Sequence, residues 1–169
     1  LRFRRQRQMC IRDSSGTRNA GHAFASTTRG IFAGGASSPA IQFVTIMTTG
    51  DAVDFGSLSM GTVAGHGCSN AIRGIMKMRG SSYVNTMEFV TIATLGNSVD
   101  FGDATNNAGG AAAMASSTRA IYAGGYGSPS FRTEIGSVEI ATTGDAVTFG
   151  DLSYGADHVA GLSNGHGGL

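Results

Sequence analysis

The stretch TTRGIFAGGASSPAIQFVTIMTTGDAVDFG at residues 27–56 decides the fold, because it comes back twice. Its second copy is AIRGIMKMRGSSYVNTMEFVTIATLGNSVDFG at 71–102, and its third is STRAIYAGGYGSPSFRTEIGSVEIATTGDAVTFG at 117–150. Arg29, Arg73 and Arg119 mark one phase of the repeat and Phe55, Phe101 and Phe149 another, which sets the step at 44 to 48 residues. From each Phe to the next Arg position is 18 residues, landing on Arg73, Arg119 and, in the last copy, Gly167. Length variation is therefore confined between the Arg and the Phe, where a loop is expected. Recurrence at this spacing marks a supersecondary unit that buries its apolar surface only against its neighbours.

Within one unit the pattern is that of short antiparallel strands. Val44 and Ile46, Val90 and Ile92, and Val138 and Ile140 alternate with Thr45, Thr91 and Glu139, the two-residue period of a strand. Gly50-Asp51, Gly96-Asn97 and Gly144-Asp145 follow, and Gly beside Asp or Asn suits a tight hairpin turn. A further strand then carries Val53 and Phe55 or their equivalents. Upstream, GHGCSN running into RGIMKM predicts another hairpin with its turn at Ser69 to Ile72. Each unit thus reads as four strands, A to D. The dense glycines argue against helices, each costing about 1 kcal/mol in a helix interior.

Four-stranded units at this step have the arithmetic of a β-propeller blade. The strand B endings IFAGG and IYAGG, the alternating strand C, the Gly-Asp or Gly-Asn turn and the aromatic strand D together resemble the kelch repeat, whose best-known mark is the double glycine of Gly34-Gly35 and Gly124-Gly125. In the second unit Arg79-Gly80 stands in place of that pair, and Phe55, Phe101 and Phe149 replace the usual strand D tryptophan. The runs FVTIATLGNSVDFGD at 89–103 and TTRGIFAGG at 27–35 also look like those of kelch-like arrays in structural proteins of marine bacteriophages. That resemblance implies a virion location, as a tail fibre or surface component, with a host-surface glycan or protein and neighbouring virion proteins as partners. A cellular kelch-type interaction module fits the same residues. A third reading is a piece of a propeller enzyme whose site lies in blades outside this sequence.

The first residues stand apart from the repeat. LRFRRQRQMCIRDS has no counterpart downstream, and residues 4–14 resemble a translated sequencing adapter, so 1–14 are set aside as a scar. They hold five Arg and one Asp; the other 155 residues hold seven basic and ten acidic side chains, a net −3 against +1 for the whole chain. The basic cluster that a nucleic-acid partner needs disappears with them. Cys68 is then the remaining cysteine, which leaves no disulfide framework and no metal-ligand spacing. No apolar run approaches the roughly 18 residues that span a bilayer, so membrane insertion is not expected.

The expected architecture is all-β: a partial, open propeller of about three blades and the start of a fourth, at 15–60, 61–106, 107–154 and 155–169. Leu169 aligns with Ile75 and Ile121 in mid-strand, so the sequence reads as a fragment whose end blades expose apolar faces. If each face is on the order of 400 Å², the burial lost is roughly 10 kcal/mol. No cofactor and no catalysis are expected. VDFGD at 99–103 carries the letters of a kinase magnesium motif without its companions. The scattered Asp residues lack EF-hand spacing, and AGGYG opens no helix to cradle a phosphate. His22 and His66 share one repeat position that Ala112 fills in the third unit, a pattern of packing more than of catalysis. Arg29, Arg73 and Arg119 either ring one end of a channel for an anion or hold the neighbouring blade through carbonyls, the second being favoured. The B–C connections vary most, and Tyr83, Tyr126, Phe131 and Arg132 there are the expected binding residues, because variable aromatic loops on a rigid scaffold are where binding concentrates.

Overall fold

The structure, a computed structural model, describes residues 18–162. The adapter-like stretch at 1–14 and the positions of Gly167 and Leu169 lie outside those residues. Among the described residues the chain is all-β, with fourteen strands and no helix. Strands β1 (His22–Ala25), β2 (Arg29–Ala33), β3 (Ala40–Thr45) and β4 (Val53–Ser57) form the first antiparallel sheet, in chain order. The second holds β5 (His66–Ser69), β6 (Arg73–Lys77), β7 (Thr86–Thr91) and β8 (Val99–Asp103). In the third unit β9 (Ala112–Ala115) and β10 (Arg119–Ala123) are separated from β13 (Glu134–Glu139) and β14 (Val147–Asp151) by a two-stranded ribbon of β11 (Tyr126–Gly127) and β12 (Ser130–Phe131). The ribbon was not foreseen from the sequence.

Local chemistry fixes the hairpins. In each A–B turn a side-chain oxygen accepts the backbone N–H of the repeat arginine: Ser26 Oγ from Arg29 at 3.2 Å, Asn70 Oδ1 from Arg73 at 2.8 Å and Ser116 Oγ from Arg119 at 3.0 Å. Ser and Asn close such turns because their short side chains reach the backbone two or three residues on. A register shift recurs in every C–D pair, at Ile41/Gln42, Met87/Glu88 and Ile135/Gly136. This is a bulge that bends the outer strand.

The sheets stack face to face, and two apolar cores lie between them. Phe24, Ile31, Ile41 and Phe55 of the first unit pack on Met76, Met78, Val90 and Ile92 of the second. Cys68, Ile75, Met87 and Phe101 of the second pack on Ala120, Tyr122, Val138 and Ile140 of the third. Strand β1 adjoins β5 and β5 adjoins β9, so the first strands of the three sheets lie side by side. Phe55 and Phe101 meet Phe43 and Phe89 edge to face at 6.1 and 5.9 Å.

The Gly-Asp and Gly-Asn pairs are not tight hairpin turns. β3 ends at Thr45 and β4 begins at Val53, so the connection is a longer loop, and in the second and third units its tip reaches back to the edge strand of the preceding sheet. Gly96 donates to Phe55 O at 2.9 Å and Ser98 N to Ser57 O at 3.0 Å, while Asn97 Oδ1 accepts from Ser57 N at 3.0 Å. The next junction repeats the pattern: Gly144 N to Phe101 O at 2.7 Å, Ala146 N to Asp103 O at 2.7 Å, and Asp103 N to Asp145 Oδ1 at 2.9 Å. Each loop thereby satisfies the backbone groups of a strand edge that otherwise faces no partner.

The repeat arginines cross the same junctions. Arg29 stacks 4.7 Å over Phe43 and donates to Ile92 O at 2.8 Å. Arg73 stacks 4.7 Å over Phe89 and donates to Ile140 O and Ala141 O at 3.0 and 2.9 Å. Arg119 has no fourth sheet to reach among the described residues and instead pairs with Glu139 at 3.3 Å.

Candidate binding site between the second and third units

The double-glycine positions show how the site arises. Gly34 and Gly35 have φ of 67° and 88°, and Gly124 and Gly125 have 70° and 96°, a left-handed conformation that costs glycine little. The β6–β7 register sets Lys77 opposite Met87, as β2–β3 sets Ala33 opposite Ile41. Met78 and Arg79, five and six residues after Arg73 as Gly34 and Gly35 are after Arg29, therefore occupy the place of the pair, one position earlier than the Arg79-Gly80 named above. Met78 is fully buried. Arg79 lies over the backbone of Gly109, where an added Cβ would come within 1.9 Å of its Cδ.

That departure organises the loops above it. Arg79 stacks 4.6 Å from the Tyr83 ring and donates from Nη2 to the Tyr83 hydroxyl at 3.2 Å. Tyr83 meets Tyr126 edge to face at 5.8 Å, and Tyr126 meets Phe131 at 5.3 Å. Tyr126 and Phe131 are paired across the β11–β12 ribbon, and Gly109 holds the ribbon down through reciprocal backbone bonds with Tyr126 at 3.0 and 2.8 Å. The structure thus brings Tyr83 of one unit together with Tyr126, Phe131 and Arg132 of the next. Phe131 remains exposed.

Beside this aromatic row lies an open polar depression of about 530 Å³, lined by Tyr83, Asn85, Thr105, Asn106, Asn107, Arg132 and Glu134. The amides and guanidinium come from loops of two units and the carboxylate from the first residue of β13, and sequence reading had singled out only Tyr83 and Arg132 among the lining residues. Arg132 Nε is buried with no hydrogen-bond partner among the described residues. Asn106 Oδ1 accepts from Lys77 Nζ at 2.6 Å and from Ala108 N at 3.1 Å, which fixes its amide and turns the NH2 away from those donors. Burial lowers the Lys77 ammonium to about 8, Glu134 opposing the shift and Arg132 adding to it. It is thus largely protonated at neutral pH and holds Asn106 from beneath.

The other sequence candidates fall elsewhere. His22 is fully buried, and burial lowers it to about 4, partly opposed by the His66 backbone. Burial also pushes the Cys68 thiol up to about 12, with the Tyr122 hydroxyl 3.6 Å away working against the shift. Arg29 and Arg73 serve the junctions described above. Among the described residues no group of three or more His, Cys, Asp or Glu side chains is arranged to hold a metal ion, and no helix is long and apolar enough to cross a membrane. No protein-family model matches the chain, and no curated protein matches it.

Proposed function

We propose that this chain is a non-catalytic binding segment of a kelch-like β-propeller and that the depression between its second and third units takes a saccharide. The propeller reading is supported by the order of the stack: first strands side by side, fourth strands at the outer edges, and each unit contacting the next through one recurring junction. The single observation that carries the ligand class is the convergence of Tyr83, the end of an aromatic row with Tyr126 and Phe131, with the Asn85, Asn106, Asn107, Arg132 and Glu134 side chains around one concavity. Sugar rings offer apolar C–H faces that stack on aromatics and hydroxyls that both donate and accept. Amide, guanidinium and carboxylate groups answer those hydroxyls in fixed planes. A surface glycan of a host cell fits a virion component, the setting implied by the phage-like repeat phrases.

The test is a screen of the chain against immobilised bacterial-surface and other glycans, followed by titration calorimetry with the best oligosaccharide. Tyr83→Ala and Asn106→Ala are expected to lower affinity at least tenfold while leaving the circular dichroism spectrum unchanged. A folded chain that binds no glycan, or binding indifferent to both substitutions, overturns the saccharide reading. A second reading, a protein-interaction surface, is favoured by the exposed Phe131 and Tyr154, where Gly155 packs against the Phe131 backbone. Large exposed aromatics of this kind anchor protein interfaces.

A further inference from the structure

Among the described residues the stack has two faces left exposed, and each is the repeat counterpart of a face that is covered inside. On the third sheet Phe149 is 54 % exposed, whereas Phe55 and Phe101 at the same position are 3 % and 2 %. On the first sheet Phe32 and Ile46 are 47 % and 46 % exposed, whereas Met76 and Ile92 in the second unit and Tyr122 and Ile140 in the third are at most 4 %. The polar groups of the junction are also duplicated. Arg119 stands where Arg29 and Arg73 stand. Ile46 N is bonded to Thr28 O at 2.8 Å just as Ile92 N and Ile140 N are bonded to Ile72 O and Thr118 O at 2.8 and 2.7 Å, so the Ile46 carbonyl sits in the same local turn as the two carbonyls that accept arginine.

We infer that a second copy of this chain docks its first sheet onto the third sheet of the first, head to tail, through the same junction that joins the units internally. In that contact Arg119 donates to Ile46 O of the second copy. Gly50 N and Ala52 N of the second copy donate to Phe149 O and Asp151 O, and its Asp51 accepts from Asp151 N. Each pairing is the third instance of one made twice within the chain. Phe149 and Phe32 close the apolar centre. Arg119 gives up its exposed pairing with Glu139, a contact of small worth at the surface.

One segment has to move. Ala160, in the segment His158–Gly161, stands one repeat step beyond Ala112, and the segment holds the place that β1 of the second copy takes, Gly161 lying against the Ala113 backbone. It forms no strand, its hydrogen bond from His158 N goes to the neighbouring Asp157 at 2.8 Å, and Leu162 beyond it is exposed. The contact is heterologous, one kind of face meeting another, so it closes into a ring or propagates. The described residues of two copies bring six four-stranded sheets, within the four to eight of closed propellers. The inference uses the junction geometry alone and stands or falls independently of the saccharide site.

The experiment is sedimentation velocity on the full chain over micromolar to submillimolar concentrations, with Phe149→Glu and Ile46→Glu. Arg119→Glu and Asp51→Lys are second variants on the same two faces, and circular dichroism reports folding. The wild-type chain is expected to gain mass with concentration, each variant alone to stay monomeric, and an equimolar mixture of a third-sheet and a first-sheet variant to form a 1:1 dimer through the one remaining intact pair of faces. A wild-type chain that stays monomeric throughout overturns the inference and leaves the faces to other partners. So does a variant that associates like wild type, or a mixture of variants that stays monomeric while the wild type associates.

Discussion

Replacing the strand D phenylalanine by alanine in each unit puts three chemically identical perturbations at three depths of the stack. Phe101 is enclosed by the third unit, and its ring has an edge-to-face partner in Phe89. Removing such a side chain from a packed core costs about 3–5 kcal/mol, the lost transfer energy plus the cavity left behind. Phe55, enclosed by the second unit and paired with Phe43, falls in the same range. Phe149 keeps roughly half its surface in water, and the register places Ser137 where Phe43 and Phe89 stand. Burial of the remaining half is worth about 1 kcal/mol. Urea unfolding followed by circular dichroism, at concentrations low enough to keep the chain monomeric, is expected to rank Phe55→Ala and Phe101→Ala together and Phe149→Ala well below them. Equal losses at Phe101 and Phe149 would refute the claim that each phenylalanine is stabilised by the unit that follows it.

Other outcomes follow from the same junctions. An added Cβ at Gly102 would meet Gly144 O at 2.5 Å, and its φ is 135°, whereas one at Gly150 meets nothing within 4 Å; Gly102→Ala is expected to lower the thermal midpoint clearly and Gly150→Ala hardly at all. Arg73→Gln removes two charge-assisted bonds to the next sheet and should cost about 1.5–3 kcal/mol, against less than about 1 for Arg119→Gln, both read by urea unfolding. His22 remains neutral when folded down to about pH 4 but takes a proton near 6.5 once unfolded. The unfolded state therefore binds more protons in that window, and stability falls as pH drops from 6.5 to 4, by about 3 kcal/mol from this group. Urea midpoints measured through that range should fall more steeply for wild type than for His22→Leu.

Much of the fold was legible because a strand writes its period into adjacent residues. The alternation around Val44 marked the strand, although Ile46 proved to lie just past its end in the turn; with the turn chemistry at Ser69 to Ile72 it sufficed for the unit, and threefold recurrence supplied the step. The long C–D loops were misread as tight turns because their tips are stabilised across the junction. Asn97 serves Ser57, 40 residues earlier, and nothing local in the sequence announces that bond. The site was half legible. Tyr83, Tyr126, Phe131 and Arg132 stood out as aromatic or charged residues in variable loops, but Asn85, Asn106 and Asn107 look like ordinary loop asparagines until the stacking of two units places them around one hollow. Arg79 was visible as a break in the glycine pair. What it does there depends on Gly109 of the next unit, which nothing local in the sequence places beside it.

The junction also bears on how such a chain changes over generations. Around its apolar centre, the leaving face of one unit and the entering face of the next are joined by backbone carbonyls, backbone amides, one arginine and one short polar side chain at the loop tip. Nearly all of these are indifferent to the rest of either unit's sequence. Duplicating or deleting a whole unit in the gene would therefore restore a workable seam at the splice, and the loops above could diverge freely without disturbing it. In such an architecture loop surfaces can be shuffled by copy number, leaving the seam as the part under constraint.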